Sequence, residues 1–295
     1  MACTVEQKQN LGLSDCNEFP DLMNGGIETD SDFVIPAATL ASGAAAVLAY
    51  LQAALLSTTA RIYYWPPFAS FENISEEAVY QDSPLRYRRV RDGNYRFRFG
   101  ISENLCLHKA MYTHRRTNGR WFPTFQSGYL MGTSLSNGDM AGFSIAMLNT
   151  EKLKFNDGSV ASESPIVVAL ANNIELDKNG AMFDASTFIS ELYRIVDVNV
   201  TVVTITDAGD IDVLVATDCD ETGVSGLLVA DFTYLNAAGV AVTISTAVES
   251  STVPGQYKLT QASDLFVDGT VNIRSAALLT VKAYESTGAA AVNIP

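Results

Sequence analysis

The chain has 295 residues, 47% hydrophobic and 18% charged, with 33 acids against 19 Lys and Arg for a formal net charge of −14. That length suits one large domain or two ordinary ones, and the composition is globular rather than disordered. A chain this acidic is a poor candidate for wrapping nucleic acid with its whole surface.

Met1 to Glu6 lacks the basic start and apolar core of a signal peptide. Residues 1–32 are polar and acidic, with a turn signal at Asn24-Gly25-Gly26. They read as an extended arm or irregular lead-in carrying Glu18, Asp21, Glu28, Asp30 and Asp32. Residues 33–60 hold no charge and are built mostly on alanine, with Pro36, Ser42, Gly43 and Gln52 among them. Alanine is a weak membrane residue, and the run lacks basic and aromatic anchors at both ends. It predicts a helix from about Ala38 to Leu56, packed on a sheet or a neighbouring subunit, and no membrane span. Small residues let such a helix approach a second surface closely, which makes Ala46 and Leu51 candidates for a subunit contact.

Arg61-Ile62-Tyr63-Tyr64-Trp65 predicts a strand stopped by Pro66-Pro67. Residues 86–120 then invert the charge balance, with ten Lys and Arg against two acids. Tyr95-Arg96-Phe97-Arg98-Phe99 places three aromatics on one strand face and two arginines on the other. Asp92-Gly93-Asn94 separates it from Leu85-Arg86-Tyr87-Arg88-Arg89-Val90-Arg91, a pattern that predicts a hairpin. Cationic faces on paired strands repel, so something anionic should cover them. The candidates are acids of the same chain, acids of a neighbouring subunit, or a polyanion. In so acidic a chain, Arg–carboxylate pairing within or between subunits is favoured over binding of single-stranded nucleic acid. Arg86, Arg88, Arg96 and Arg98 are therefore interface candidates, with Glu28, Asp30 and Asp32 of the arm as partners.

Further strands are predicted at Trp121–Phe125 and Tyr129–Met131, joined at Gly128, and at Gly142–Leu148 and Pro165–Leu170. From Val196 the texture changes: β-branched residues dominate, and short strand candidates recur roughly every ten residues up to Tyr284. Residues 196–295 hold 12 acids and three bases, a net of −9. The division expected is a body over 1–195 and a sandwich of immunoglobulin-like type over 196–295. The fold class is mainly β, with a β-sandwich body, one Ala-rich helix and the terminal sandwich.

Little in the chain points to catalysis. His108 and His114 lie six apart, share no helix face, and on one strand would sit about 20 Å apart. There is no P-loop, dinucleotide fingerprint or nucleophile elbow. Asp177-Lys178-Asn179-Gly180 resembles the start of a calcium loop but places glycine too early, so a polar turn is the reading. Asp218, Asp220 and Glu221 read as a solvated loop. Cys3, Cys16, Cys106 and Cys219 are scattered and read as isolated thiols. Metal ligands, cofactors and catalytic residues are expected to be absent.

The stretch Phe71-Glu72-Asn73-Ile74-Ser75-Glu76-Glu77-Ala78-Val79-Tyr80, followed by Val90 to Phe99 and Leu107-His108-Lys109-Ala110-Met111, resembles virion structural proteins of tailed bacteriophages, particularly those of Bacteroides-like hosts. Gly142 to Phe155 and Leu176 to Gly180 fit the same group. The resemblance covers most of residues 60–295 and implies a tail-tube or head–tail connector subunit with an appended immunoglobulin-like domain. It implies homo-oligomeric rings, usually hexameric and stacked, that conduct DNA through the lumen without reading its sequence. It also implies contacts with other virion proteins, a virion location after assembly in the host cytoplasm, and an outer domain that touches host-surface glycans. The long Ala-rich helix and the N-terminal arm depart from a minimal tube subunit and fit ring-to-ring contacts or a neck ring. A carbohydrate-binding surface module is the alternative. An unrecognised hydrolase is disfavoured because no nucleophile or metal cluster emerges.

Overall fold

Strands whose alternate residues are apolar must cover one face, and the chain does this twice, in two compact units spanning Met1–Arg194 and Ile195–Pro295. The computed structural model describes residues 21–57, 62–65, 67–83, 86–91, 93–102, 105–113, 118–156, 158, 162–186, 192, 195–207, 209–219, 221–261, 266–273 and 284–294. Residues 81–83, 86–91, 106, 110, 113, 206 and 207 are described by their backbone alone. The fold is mainly β, as expected.

The elements of the first unit run in order: β1 (Met23–Asp30), β2 (Val34–Ile35), α1 (Ala37–Ala41), α2 (Ala44–Leu55), β3 (Tyr63–Trp65), β4 (Ser70–Asn73), β5 (Val79–Ser83), β6 (Arg86–Arg91), β7 (Arg96–Ile101), α3 (Leu105–Thr113), β8 (Gly119–Phe125), β9 (Tyr129–Ser134), β10 (Met140–Ala141), β11 (Phe143–Thr150), β12 (Ser164–Leu170), α4 (Asn173–Asp177) and β13 (Gly180–Asp184). Eleven of these strands form one sheet in the order β2-β10-β9-β8-β11-β12-β7-β4, with β1 pairing β3 and β8, and β13 pairing β9. The sheet curls over on itself. β7 and β8 are separated by two strands in this order, yet the rings of Phe99 and Trp121 lie 6.0 Å apart. Between them sits an aromatic core with Phe97, Phe143 and Ile166, into which Phe68 stacks on Phe99 at 4.1 Å. The other face of β8 sends Phe122 into a second core, closed by Val47, Leu51 and Leu55 of α2.

Three expectations are corrected. The Ala-rich helix is two helices, because Gly43 takes φ 90°, a left-handed conformation that a helix interior does not accept, and becomes the N-cap of α2. Residues 23–30 are not an arm: β1 is paired on both sides, with β3 and β8, and Ile27, Glu28 and Thr29 are fully buried. Residues 1–20 lie outside the described residues.

The third concerns the basic hairpin. β6 pairs with β5 in a separate two-stranded sheet, whereas β7 pairs with β4 and β12. β6 and β7 are therefore not the two strands of a hairpin. Residues 93–96 instead run beside 74–76, with the Ile74 N–H donating to Arg96 O and the Glu76 N–H to Asn94 O. Gly93 is needed for that approach, since a Cβ there would lie 1.9 Å from the Glu76 carbonyl oxygen. Once the two arginine-bearing strands belong to different sheets, the cross-strand repulsion argument no longer applies to them.

The second unit holds β14 (Val196–Asp207), β15 (Asp210–Thr217), β16 (Phe232–Asn236), β17 (Ala241–Val242), β18 (Thr246–Glu249), β19 (Gln256–Thr260), β20 (Gly269–Ile273), β21 (Tyr284–Ser286) and β22 (Ala290–Val292). One sheet has the order β18-β19-β15-β14-β21 and the other β17-β16-β20-β22. Counted within the unit, the first sheet reads fifth–sixth–second–first–eighth and the second fourth–third–seventh–ninth. This is the ABED/CFG arrangement of immunoglobulin-like sandwiches. β14 pairs with β21 in parallel, and the other pairs are antiparallel. Both sheets feed one core that includes Val200, Ile211, Val213, Tyr234, Tyr257, Leu259 and Val271. β22 lies beyond the last strand candidate, which ended at Tyr284, and residues 274–283 lie outside the described residues.

No helix among the described residues is long and apolar enough to cross a membrane. Cys219, expected as an isolated thiol, is disulfide-bonded. Sequence spacing does not report which thiols meet in space.

Candidate functional site

The aromatic–arginine strand is built as its alternation requires. On β7, Phe97 and Phe99 point into the core, at 8% and 0% exposure, while Arg96 and Arg98 face outward. Register then decides what the arginines meet. β4 sets Glu72 directly opposite Arg98, and Phe71 opposite Phe99. Arg98 Nη1 donates to Glu72 Oε2 at 2.9 Å and Nη2 to Glu151 Oε1 at 3.3 Å. Its Nε is 3.3 Å from Glu151 Oε2, an ionic contact without hydrogen-bond geometry. Arg96 Nη1 reaches Glu76 Oε1 at 3.5 Å. The hydrogen bonds from Arg98 to Glu72 and Glu151 push its pKa up, so it stays charged at any accessible pH.

A second charge pair lies at the end of the same sheet region. Glu163 is 7% exposed, accepts from Lys154 Nζ at 2.8 Å through Oε1, and from the Ser70 hydroxyl at 2.7 Å through Oε2. Burial pushes its pKa up, but the hydrogen bonds from Lys154 and Ser70 and the nearby charges of Lys154 and Arg98 outweigh that and hold it below the usual value. Together Arg96, Arg98 and Lys154 meet Glu72, Glu76, Glu151 and Glu163, three bases against four carboxylates. The local sum is negative. This face is a poor cradle for a polyanion, and its arginines are already covered by acids of the same chain.

The other candidates disperse. Leu51 is fully buried in the core of its own unit, so it is not a contact residue for a second subunit; its i, i+4, i+8 neighbours Val47, Leu51 and Leu55 form the inward stripe of α2. Ala46 lies off that stripe and is partly exposed. Glu28 is buried within β1 and has an interaction partner of its own, Asp30 sits at the end of β1 opposite Gly119, and Asp32 is exposed and accepts from the Ser31 hydroxyl at 3.1 Å. None of the three contacts Arg96 or Arg98 among the described residues. The acids that do, Glu72, Glu76 and Glu151, were missed. For Glu72 the missing step was that β4 is the neighbour of β7. The side chains of Arg86 and Arg88 lie outside the described residues.

His108 is on α3 rather than a strand, with Nδ1 2.7 Å from Ser164 Oγ; His114 lies outside the described residues. Asp177, from the calcium-like stretch, ends α4 and accepts from the Tyr95 hydroxyl at 2.5 Å. That hydrogen bond, with burial and the carboxylate charge, pushes Tyr95 up to about 12. No group of three or more His, Cys, Asp or Glu that could hold a metal occurs among the described residues. In the sandwich, Phe232, Tyr234, Tyr257 and Phe266 are core, leaving Tyr284 as the one partly exposed aromatic of the five the sequence offers for carbohydrate stacking. A cavity of about 520 Å³ opens at Asn236, Ala237, Ala238, Phe266, Val267, Asp268 and Ile294, and no exposed aromatic platform lines it.

The charged face fastens an edge strand, β4, and the connection carrying Glu151, Lys154 and Glu163 to the curved sheet. No protein-family model, curated protein or solved structure matches the chain.

Proposed function

We propose that the chain is a structural subunit of a tailed-bacteriophage virion, a tail-tube subunit or else a subunit of a neck or connector ring, acting as a homo-oligomer. The observation that carries this reading is the two-unit β build: a curved antiparallel sheet body followed by a sandwich with immunoglobulin-like strand order. It fits the resemblance of residues 60–295 to virion proteins. The self-neutralised arginine face supports it as well, because a stripe spent on holding strands together is what a scaffold needs and a catalyst does not. In this reading the body forms the ring, DNA passes without sequence-specific contact, and the sandwich is available to other virion proteins or to surface glycans.

Particle mass tests the proposal. Size-exclusion chromatography with light scattering and negative-stain imaging should give closed rings or stacked tubes of one chain. A chain that remains a monomer from micromolar to hundred-micromolar concentration would contradict it.

A further inference from the structure

The chain holds four Asn-Gly pairs: Asn24-Gly25, Asn118-Gly119, Asn137-Gly138 and Asn179-Gly180. Such a pair carries a reaction of its own. With no Cβ on the glycine, nothing shields its backbone nitrogen from the side-chain carbonyl carbon of the asparagine before it. Attack closes a five-membered ring, so the glycine nitrogen has to leave the hydrogen-bonded geometry that the fold gives it.

Topology separates the four. Gly25 stands in β1 opposite Thr124, Gly119 in β8 opposite Asp30, and Gly180 in β13 opposite Thr133. Ring closure at these three requires a strand ladder to open. Gly138 belongs to no strand: it lies in the turn between β9 and β10, with φ 87°. Ser136, Asn137 and Gly138 are exposed, and the Gly138 N–H donates to Leu135 O at 2.9 Å. A bond in an exposed turn opens locally and at small cost, whereas a ladder within a packed sheet opens only with a larger unit. The Asn137 side chain is already folded back over its own backbone. Its Oδ1 accepts the Asp139 N–H at 3.2 Å, which draws electron density from the carbonyl carbon under attack.

We propose that Asn137 is a site of spontaneous deamidation in the folded protein, and that the new charge loosens the start of α1. The Gly138 nitrogen gives its proton to water and bonds to Asn137 Cγ. The Cγ–Nδ2 bond breaks, and the nitrogen takes a proton from water and leaves as ammonia. A second water opens the ring at either carbonyl, which leaves isoaspartate or aspartate. In the unmodified chain Asn137 Nδ2 donates to Asp139 Oδ2 at 2.7 Å, and Asp139 Oδ1 accepts the Ala37 N–H at 2.8 Å, at the first residue of α1. The product sets a carboxylate against Asp139 where a donor stood, and the two like charges repel at that tie.

Peptide mapping by mass spectrometry follows all four sites in one sample, with the full chain aged at mildly alkaline pH in native buffer and in guanidinium chloride. Unfolded, the four should convert at similar rates, because only the local sequence then acts. Folded, Asn137 should keep close to its unfolded rate, while Asn24, Asn118 and Asn179 should each fall at least about tenfold below theirs. An Asn137 slowed as strongly as the other three would mean that the Leu135 and Asp139 bonds lock the turn, and the proposal falls. It falls equally if any of the three strand sites keeps pace with Asn137 in the folded chain. Asn137→Asp sets the charge without waiting for the reaction, and hydrogen exchange at the Ala37 amide should then quicken by about threefold or more. Unchanged exchange there would overturn the link to α1.

Discussion

The two units are both largely antiparallel β structures, yet they are specified differently. Among the described residues, the buried polar or charged ones are Glu28, Thr29, Thr124, Thr133, Thr150, Glu163 and Ser164 in the first unit and Asp231 in the second. The sandwich is encoded by local information: alternation of Val, Ile, Leu and Tyr along each strand, and turns that reverse the chain. The body depends on pairings between distant residues, such as Ser70 with Glu163 and Arg98 with Glu151. Local patterns can be read from one sequence; polar partners separated by scores of residues cannot.

The largest test of that contrast is to remove β1. Starting the chain at residue 33 deletes a strand that pairs with both β3 and β8 and contributes the fully buried Ile27. The loss should exceed the few kcal/mol by which ordinary domains are stable, so the body should fail to fold. Residues 195–295 expressed alone should still melt cooperatively. A truncated chain with a native-like body would show that β1 is as dispensable as the arm reading supposed.

A smaller effect is expected inside the sandwich. The Tyr257 hydroxyl donates to Val224 O at 2.7 Å and accepts the Leu227 N–H at 3.0 Å, and burial pushes its pKa up to about 12. Tyr257→Phe leaves two buried backbone groups unpaired, which costs about 1–3 kcal/mol. Urea melts of the 195–295 fragment should show a lower midpoint with an unchanged slope. An unshifted midpoint would mean that water or a rearranged loop satisfies both groups.

These two sites mark what was legible. The strands from Trp121 to Leu170 and most of the sandwich strands follow from alternation and turn residues, and the change of texture at Val196 lies next to the division between the units. Strand partners did not follow. Asp92-Gly93-Asn94 has the composition of a hairpin turn, and nothing local reveals that Gly93 is there to let residue 76 pass. Helix α3 went unread because Leu105 to Thr113 is a nine-residue run inside the basic stretch that was read for strand alternation. At the charged face the arginines were legible, since five alternating residues define a face by themselves. Glu72, Glu76 and Glu151 were hidden by the register that brings them there.

Glu163 gives the third test, and its sign with pH is fixed. Its folded pKa is held below the ordinary 4.5, so its contribution is fully present above that value and is lost as pH falls through the folded pKa. Glu163→Gln should lower body stability by about 1–2 kcal/mol at pH 7, the scale of a charge-assisted hydrogen bond that is part-buried. The gap to wild type should close on acidification toward pH 3. Thermal melts at a series of pH values measure it, and a gap that persists at low pH would show that packing, not charge, accounts for the loss.

The smallest expected effect is on the arginines themselves, and it bears most directly on how the body is held. Arg98 is 30% exposed at its side chain and Glu72 60%; Arg96 and Glu76 are 37% and 40% exposed. Exposed pairs of this kind contribute about 0.2–1 kcal/mol each, with the Arg98 fork toward the upper end and the single 3.5 Å contact of Arg96 toward the lower. Arg98→Gln should therefore cost about 1 kcal/mol and Arg96→Gln about half that or less. Because the two arginines share no carboxylate, the double variant should be close to additive. Salt should shrink all three differences, since these charges are near solvent. If their carboxylates belong to the same chain, the loss is the same in dilute and concentrated protein. A loss that grows with protein concentration would place part of the pairing between copies. Salt-sensitive affinity of the wild-type body for single-stranded DNA, abolished in the double variant while assembly is kept, would mean that the surplus carboxylate on this face does not repel phosphate as its charge requires.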